Sequence, residues 1–308
     1  MGVLERHWIM GWIIFLFLLP IIHGWGKDGH YATCKIAENF LTGEALAAVK
    51  ALLPAEAEGD LAAVCSWADE IRYKAHYRWS STLHYADTPD FRCNYNYCRD
   101  CHDTVGRKDR CVTGAINNYT MQLMSEHDDS GLYAVSYNLT EALMFLSHFI
   151  GDVHQPLHVG FLGDEGGNSI TVRWYRRKTN LHHVWDNMII ESALKTFYDK
   201  DLTAMIQAIQ SNITDAFVDE ASQENCKSTV CPDPYASESI KLACKFAYRN
   251  ATPGITLGGL KIIGSSCYAY DYFYSRWPVV ESRLAKGGVR LATLLNRIFS
   301  EHKSIAEE

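Results

Sequence analysis

The sequence predicts a single, mainly α-helical domain with one small β hairpin. Apolar residues recur at three- and four-residue spacing through most of the chain, and only one short stretch alternates. No internal repeat, linker or low-complexity segment divides the chain, so one domain is the economical reading.

Residues 1–24 are set apart from that domain. Trp8 to Ile22 is an apolar run broken by Gly11 and Pro20, preceded by Arg6 and followed by Gly24. Its length of about 15 residues falls short of the roughly 20 that a helix needs to cross a bilayer. A secretory signal peptide cut after Gly24 is therefore preferred to a signal anchor. Beyond it, residues 28 to 53 read as two helices around Thr42-Gly43, and Leu61 to Tyr73 as another. The stretch 86 to 111, rich in Cys, Asn, Asp and Tyr, reads as a long loop stiffened by disulfides. From Asn138 to Val153, Leu139, Leu143, Phe145, Leu146, Phe149 and Ile150 cover too many faces for a surface helix, which predicts the central buried one. Asn168 to Tyr175 alternates Ile170, Val172 and Trp174 after the Gly166-Gly167 turn, the pattern of a strand. Later helices are expected at 188 to 218, 235 to 249 and 267 to 285. Gly287-Gly288 is expected to close the domain, giving a folded unit of 25–286. Residues 287–308 would then form a frayed helix or a removable propeptide.

The 308 residues carry 29 Lys+Arg against 36 Asp+Glu, a formal charge of −7 that excludes a basic nucleic-acid coat. Loss of the leader removes only Glu5 and Arg6 and leaves that charge unchanged. Any polyanionic substrate must then be held by local positive charge, an Arg, a Lys or a metal. Secretion makes the ten cysteines intelligible as up to five disulfides. Sequons at Asn118, Asn138, Asn212 and Asn250 predict N-linked glycans, least so the last, which Pro253 follows. No second apolar stretch of spanning length follows the leader, so the mature chain is expected to be soluble, free of the membrane and monomeric.

Histidine and aspartate collect in a few places: His30, Asp69, His84-Tyr-Ala-Asp87, His148 to His158, and His182 to Asp186. His148 and Asp152 lie four apart on the predicted buried helix, so both project from one face. Pro156 ends that helix and turns His158 back toward the pair, and His182 with Asp186 repeats the four-residue spacing. A lone buried histidine is ordinarily a hydrogen-bonded core group, but this density of imidazole and carboxylate points to a bound metal. Imidazole with carboxylate and no thiolate suits zinc in a hydrolytic site. His154 and His183, inside the same motifs, are candidates to orient ligands from outside.

The combination WGxxGH, WADxxR, HYxD, HxxGDxHQPLH and NLHxVWD resembles the secreted zinc-dependent, single-strand-specific nucleases of plants and fungi, the nuclease I or bifunctional nucleases, and most closely their plant branch. The resemblance covers nearly all of 25 to 285. It implies the helical fold shared with zinc-dependent phospholipase C, and three Zn²⁺ ions. One ion would be held by Asp69, His84, His148 and Asp152. A second would be held by the free amine and carbonyl of Trp25 with His30 and Asp152, and the third by His158, His182 and Asp186. Only cleavage after Gly24 creates the Trp25 amine. The resemblance further implies in-line attack on phosphorus in RNA, single-stranded DNA and 3′-mononucleotides, leaving 5′-phosphate products, with Arg72 steadying the developing charge. Tyr85 and Asp87 look like the family's base pocket, with Asn187 a further candidate; Asp87 could instead act on the nucleophilic water. The disulfide pairs it suggests are Cys34–Cys65, Cys93–Cys244, Cys101–Cys111 and Cys226–Cys231, with Cys98 and Cys267 left over. Product release would be extracellular or in a vacuolar or other endomembrane compartment. The rival reading is a zinc phospholipase C acting on phospholipid head groups, whose last metal ligand is typically Glu where this chain has Asp186.

Overall fold

The structure, a computed structural model, describes residues 25–125, 137–222, 229–258 and 272–300. The expected leader, Cys226, Cys267 and residues 301–308 lie outside these residues. Helices dominate, as predicted: α1 (Lys27–Glu38), α2 (Gly43–Leu52), the short α3 (Leu61–Val64) and α4 (Trp67–Ile71), then α5 (Tyr97–Asp100), α6 (Val112–Met124) and α7 (Leu139–His154). A three-stranded sheet follows, made of β1 (Thr171–Trp174), β2 (Arg177–Asn180) and β3 (Thr256–Leu257). The remaining helices are α8 (Leu181–His183), α9 (Ile189–Phe197), α10 (Leu202–Ser211), α11 (Asp215–Ser222), α12 (Pro232–Leu242) and α13 (Tyr272–Ser300).

Helix α7 is the central element, and every residue from Ala142 to His154 is buried. Asn138 caps its start by accepting from the Glu141 N–H at 3.2 Å. Its end falls at Gln155, held extended before Pro156, where a proline ring disfavours the helical conformation. Helices α1, α6 and α13 pack around it.

Two predicted helices are broken. The 61 to 73 helix divides at Cys65, whose carbonyl accepts from His148 Nδ1 at 2.7 Å rather than from the next helical turn. The 188 to 218 helix divides twice. Asp199 and Lys200 take left-handed φ values of 49° and 67° before Asp201 caps α10, and a second break over 212–214 precedes α11. In the sheet, β1 pairs antiparallel with β2 as the expected hairpin, and parallel with β3, a strand that its two-residue length kept from view.

Three of the suggested disulfides are present: Cys34–Cys65, Cys93–Cys244 and Cys101–Cys111. Cys231 is also disulfide-bonded, and Cys98 is exposed and unpaired.

The domain boundary at 286 is corrected. Helix α13 continues through Gly287 and Gly288 to Ser300, because these glycines face α1 across a close crossing. A Cβ on Gly288 would stand 2.5 Å from Ile36 Cγ2, and one on Gly287 3.1 Å from Thr33 Cγ2. Further along, Arg290 reaches Glu238 of α12 through both terminal nitrogens, at 2.7 and 2.8 Å, and His154 Nε2 at 3.0 Å. Arg283 joins Glu238 at 2.6 Å and donates from Nε to the His154 carbonyl at 2.9 Å. These cations cap the C-terminal end of α7, where the helix dipole favours positive charge. Arg290→Ala leaves His154 Nε2 without its partner and Glu238 with one arginine. It should cost about 3 kcal/mol, in the range for breaking a buried ion pair. Thermal unfolding is the measurement, with a fall on the order of 10 °C expected for a domain of this size.

Candidate metal centre

Seven elements bring the site together. His30 comes from α1 and Asp69 from α4, and His84 ends a 3₁₀ segment, Ala75–His84. His148 and Asp152 stand one turn apart on α7, and His158 lies in the 3₁₀ turn Pro156–Val159 that follows it. His182 lies on α8 and Asp186 on the π-helical turn Val184–Met188. All eight side chains are at most 8% exposed.

Asp152 is the hub. Its Oδ2 lies 2.9 Å from His84 Nδ1 and 3.1 Å from His148 Nε2, and its Oδ1 lies 3.3 Å from His158 Nδ1 and 3.4 Å from His30 Nε2. Asp69 Oδ1 approaches His84 at 3.6 Å and His148 at 3.8 Å. Asp186 Oδ2 is 3.4 Å from His182 Nε2, and its Oδ1 is 4.0 Å from His158 Nε2. Three sets able to hold a metal emerge: His30, His148 and Asp152; Asp69, His84 and His148; His158, His182 and Asp186.

Protein contacts leave this cluster incomplete. Both ring nitrogens of His30, His84 Nε2, Asp69 Oδ1 and Asp152 Oδ1 are buried without a hydrogen-bond partner. Buried polar atoms are rarely left so, and a concentration of them facing one another calls for a cation between them. The protonation states of His30 and His84 agree, whereas for His148 burial is outweighed by Asp152 and Asp69, which raise it. Burial lowers His30 and takes His84 down to about 4, leaving neutral rings with a lone pair to give. Burial alone would raise Asp152, but the imidazoles of His148 and His158 outweigh it and hold the carboxyl well below its usual range. Asp186 moves the other way, pushed well above that range by burial and by the charges of Asp69 and Asp152.

Backbone carbonyls fix the rings. His148 Nδ1 donates to Cys65 O at 2.7 Å, His158 Nδ1 to His84 O at 2.6 Å, and His182 Nδ1 to Gly166 O at 2.7 Å. Each bond turns Nε2 toward the cluster. Gly166 and Gly167 hold φ of 61° and 86°, conformations that favour glycine, and so bring the Gly166 carbonyl to His182. Gly151 leaves room for His30, since a Cβ there would lie 2.7 Å from His30 Nδ1 and 3.8 Å from Trp25 Cδ1. Trp25 itself is fully buried, and its indole Nε1 has no hydrogen-bond partner.

Sequence reasoning missed Gln155. It is fully buried, donates from Nε2 to Asp186 Oδ1 at 2.6 Å and accepts from the Leu157 N–H, tying the end of α7 to the third set. A polar amide between His154 and Pro156 was the available signal. His154 faces Arg290 rather than a ligand. His183 meets the Asn187 amide at 3.1 Å, and the Asn187 side chain also covers Gly26, so Asn187 braces the segment that begins at Trp25.

Beside the cluster, Arg72 is 4% exposed, lies 3.5 Å from Asp69 Oδ1 and keeps a buried Nε without a partner. Tyr85 and Asp87 are half-buried, while Ala86 and Thr88 between and after them point into the core. Burial, with the nearby Glu165 and Asp164 carboxylates, pushes Asp87 up to about 6, and burial with Asp87 pushes Tyr85 up to about 12.

Buried imidazoles and carboxylates in three adjoining sets, on a helical frame and without thiolates, define a metal-dependent hydrolase. The S1/P1 nuclease family model matches residues 25–300, and the chain belongs to that family. "Endonuclease 4" of Arabidopsis thaliana is 66% identical over 92% of this chain and 93% of that protein, and "Endonuclease 5" of the same plant is 57% identical over 96% and 98%. "Nuclease P1" of Penicillium citrinum is 32% identical over 89% of this chain and 97% of its own. The plant proteins are markedly closer than the fungal one, which puts the chain on the plant branch.

Proposed function

We propose that this chain is a secreted, zinc-dependent endonuclease that hydrolyses RNA and single-stranded DNA to 5′-phosphate products and also acts on 3′-mononucleotides. The observation that carries the proposal is the gathering of three buried His/Asp sets around Asp152, with unpartnered atoms on His30, His84, Asp69 and Asp152, flanked by a buried arginine and a half-buried Tyr-x-Asp.

The donor sets fit three Zn²⁺ ions, with Asp69, His84, His148 and Asp152 at one site and His30, Asp152 and the amine and carbonyl of Trp25 at the second. His158, His182 and Asp186 make the third. When bound, such ions stabilise charge on phosphate and make water nucleophilic near neutral pH. The chain's own residues do the rest. Carbonyl-anchored His148, His158 and His182 keep their Nε2 atoms fixed, so little reorganisation is needed. Arg72 offers its unpartnered Nε to a phosphate oxygen as charge develops there. The water oxygen joins phosphorus while the P–O3′ bond breaks; one proton of that water ends on the 3′ oxygen, which leaves as a hydroxyl, and the other passes to the phosphate product or to solvent. Tyr85 stacks on a base and Asp87 accepts its N–H groups, which demands a base released from pairing and tolerates any identity.

Cleavage after Gly24 and glycans on Asn118, Asn138, Asn212 and Asn250 belong to the same reading. All four asparagines are exposed. They suit a monomer in the secretory route, delivered outside the cell or to a vacuolar compartment.

The test is activity on denatured DNA, duplex DNA, RNA, a 3′-mononucleotide and phosphatidylcholine, with and without chelator. Chelator-sensitive cleavage of RNA and denatured DNA, with duplex DNA and lipid spared, is expected. Hydrolysis of the lipid alone would replace this reading with a phospholipase.

A further inference from the structure

Two extended stretches leave the metal centre side by side, one after His84 and the other after His158. Ala86 N–H donates to His158 O at 2.8 Å, Thr88 N–H to Gly160 O at 2.9 Å, and Leu162 N–H to Thr88 O at 2.9 Å. Their inner ends are ligand candidates. Their outer ends carry Phe91, at 89% the most exposed large apolar side chain among the described residues, and Leu162, 55% exposed.

Phe91 is held in place. It occupies the turn Pro89 to Arg92 at a left-handed φ of 62°, a conformation that an L residue rarely adopts. Asp90 Oδ1 accepts from the Gly163 N–H at 2.7 Å and pins that turn to the neighbouring stretch. The Phe91 ring then lies 5.9 Å from Phe161, which itself stacks on Tyr248 at 4.5 Å. A large apolar ring is thus fixed in water, backed by an aromatic wall.

We infer that Phe91, with Leu162 beside it, is a second base-stacking subsite, which takes a nucleobase of the single strand beyond the nucleotide bound at Tyr85 and Asp87. The inference rests on the nuclease reading above. Along the stretch, alternate residues Tyr85 and Asp87 face outward, so aromatic and acceptor groups succeed one another away from the metal centre. Four extended residues from His84 to Thr88 span roughly 13 Å, which places Phe91 a few nucleotides from the scissile bond rather than at it. The charge on this rim selects base over phosphate. Asp87, Asp90, Asp164 and Glu165 line it against the single cation Arg92 of the Phe91 turn, and carboxylates in excess repel phosphate while accepting base N–H groups. The strand would lie with its bases toward this rim and its scissile phosphate toward Arg72 and the metal sets.

The experiment compares the unmutated zinc-loaded enzyme with Phe91→Ala and Phe91→Trp. Substrates are a 3′-mononucleotide, a single-stranded oligonucleotide, and the same oligonucleotide with one base at the cleaved nucleotide and abasic sugars elsewhere. Phe91→Ala should raise KM for the full oligonucleotide roughly five- to hundredfold, the range for losing one base–aromatic stack. It should leave the mononucleotide and the abasic substrate unchanged, and Phe91→Trp should restore the KM. An unaltered oligonucleotide KM in Phe91→Ala, or an equal loss on the mononucleotide, would overturn the subsite. Failure of the unmutated enzyme to cleave any of the three would instead overturn the nuclease reading itself.

Discussion

Asp152→Ala is expected to abolish hydrolysis of denatured DNA, with a fall on the order of a thousandfold or more, and to release bound metal. Removing one transition-state donor from a typical hydrolase costs about a hundred- to a thousandfold, and Asp152 serves more than one partner. Both its carboxylate oxygens face imidazoles, Oδ2 those of His84 and His148, and the unpartnered Oδ1 those of His30 and His158. Its loss therefore disconnects two of the three sets and removes the carboxylate that stands beside His158 of the third. Metal content by atomic absorption and kcat on denatured DNA check the expectation together. A protein that keeps full activity without this carboxylate would remove the hub from the mechanism.

An alanine inserted between Gly24 and Trp25, retained in the mature chain, is expected to be comparably damaging. The insertion leaves every side-chain ligand in place and moves only the α-amine. Trp25 is fully buried, Gly29 packs on its Cβ, and Gly26 N–H donates to Asp186 O at 2.8 Å, so the segment has no slack to shift by one residue. One metal should be lost and two retained, with activity reduced by about a hundredfold or more, the scale for one misplaced electrostatic group. N-terminal sequencing with metal analysis decides it. An extended chain that binds metal like the native one would show that the amine takes no part.

What the sequence discloses here depends on which atoms do the work. Metal ligation needs particular side chains at particular spacings, so His148 with Asp152 and His182 with Asp186 could be read directly. The carbonyls of Cys65, His84 and Gly166 that aim the rings carry no residue signature, since any residue supplies one. The same holds for the break at Cys65, where tertiary hydrogen bonding overrides an unbroken helical pattern. Helix α7 was legible because burial on all sides leaves a dense apolar code. Gly287-Gly288 was misread because glycine ends helices when it is chosen for its φ, and permits tight crossings when it is chosen for its missing Cβ. Only the packing partner, α1, tells the two apart.

The crossing of α1 on α13 also sets a schedule. The helix that carries His30 is among the first parts of the mature chain to be synthesised, and the surface that receives it is among the last. A nascent chain whose final helix is still inside the ribosome has no partner for Thr33 and Ile36. Arg283 and Arg290 are not yet present to cap α7. Contacts of such long sequence separation form late. The close α1–α13 crossing and the arginine cap on α7 can therefore be completed only after the last helix has emerged.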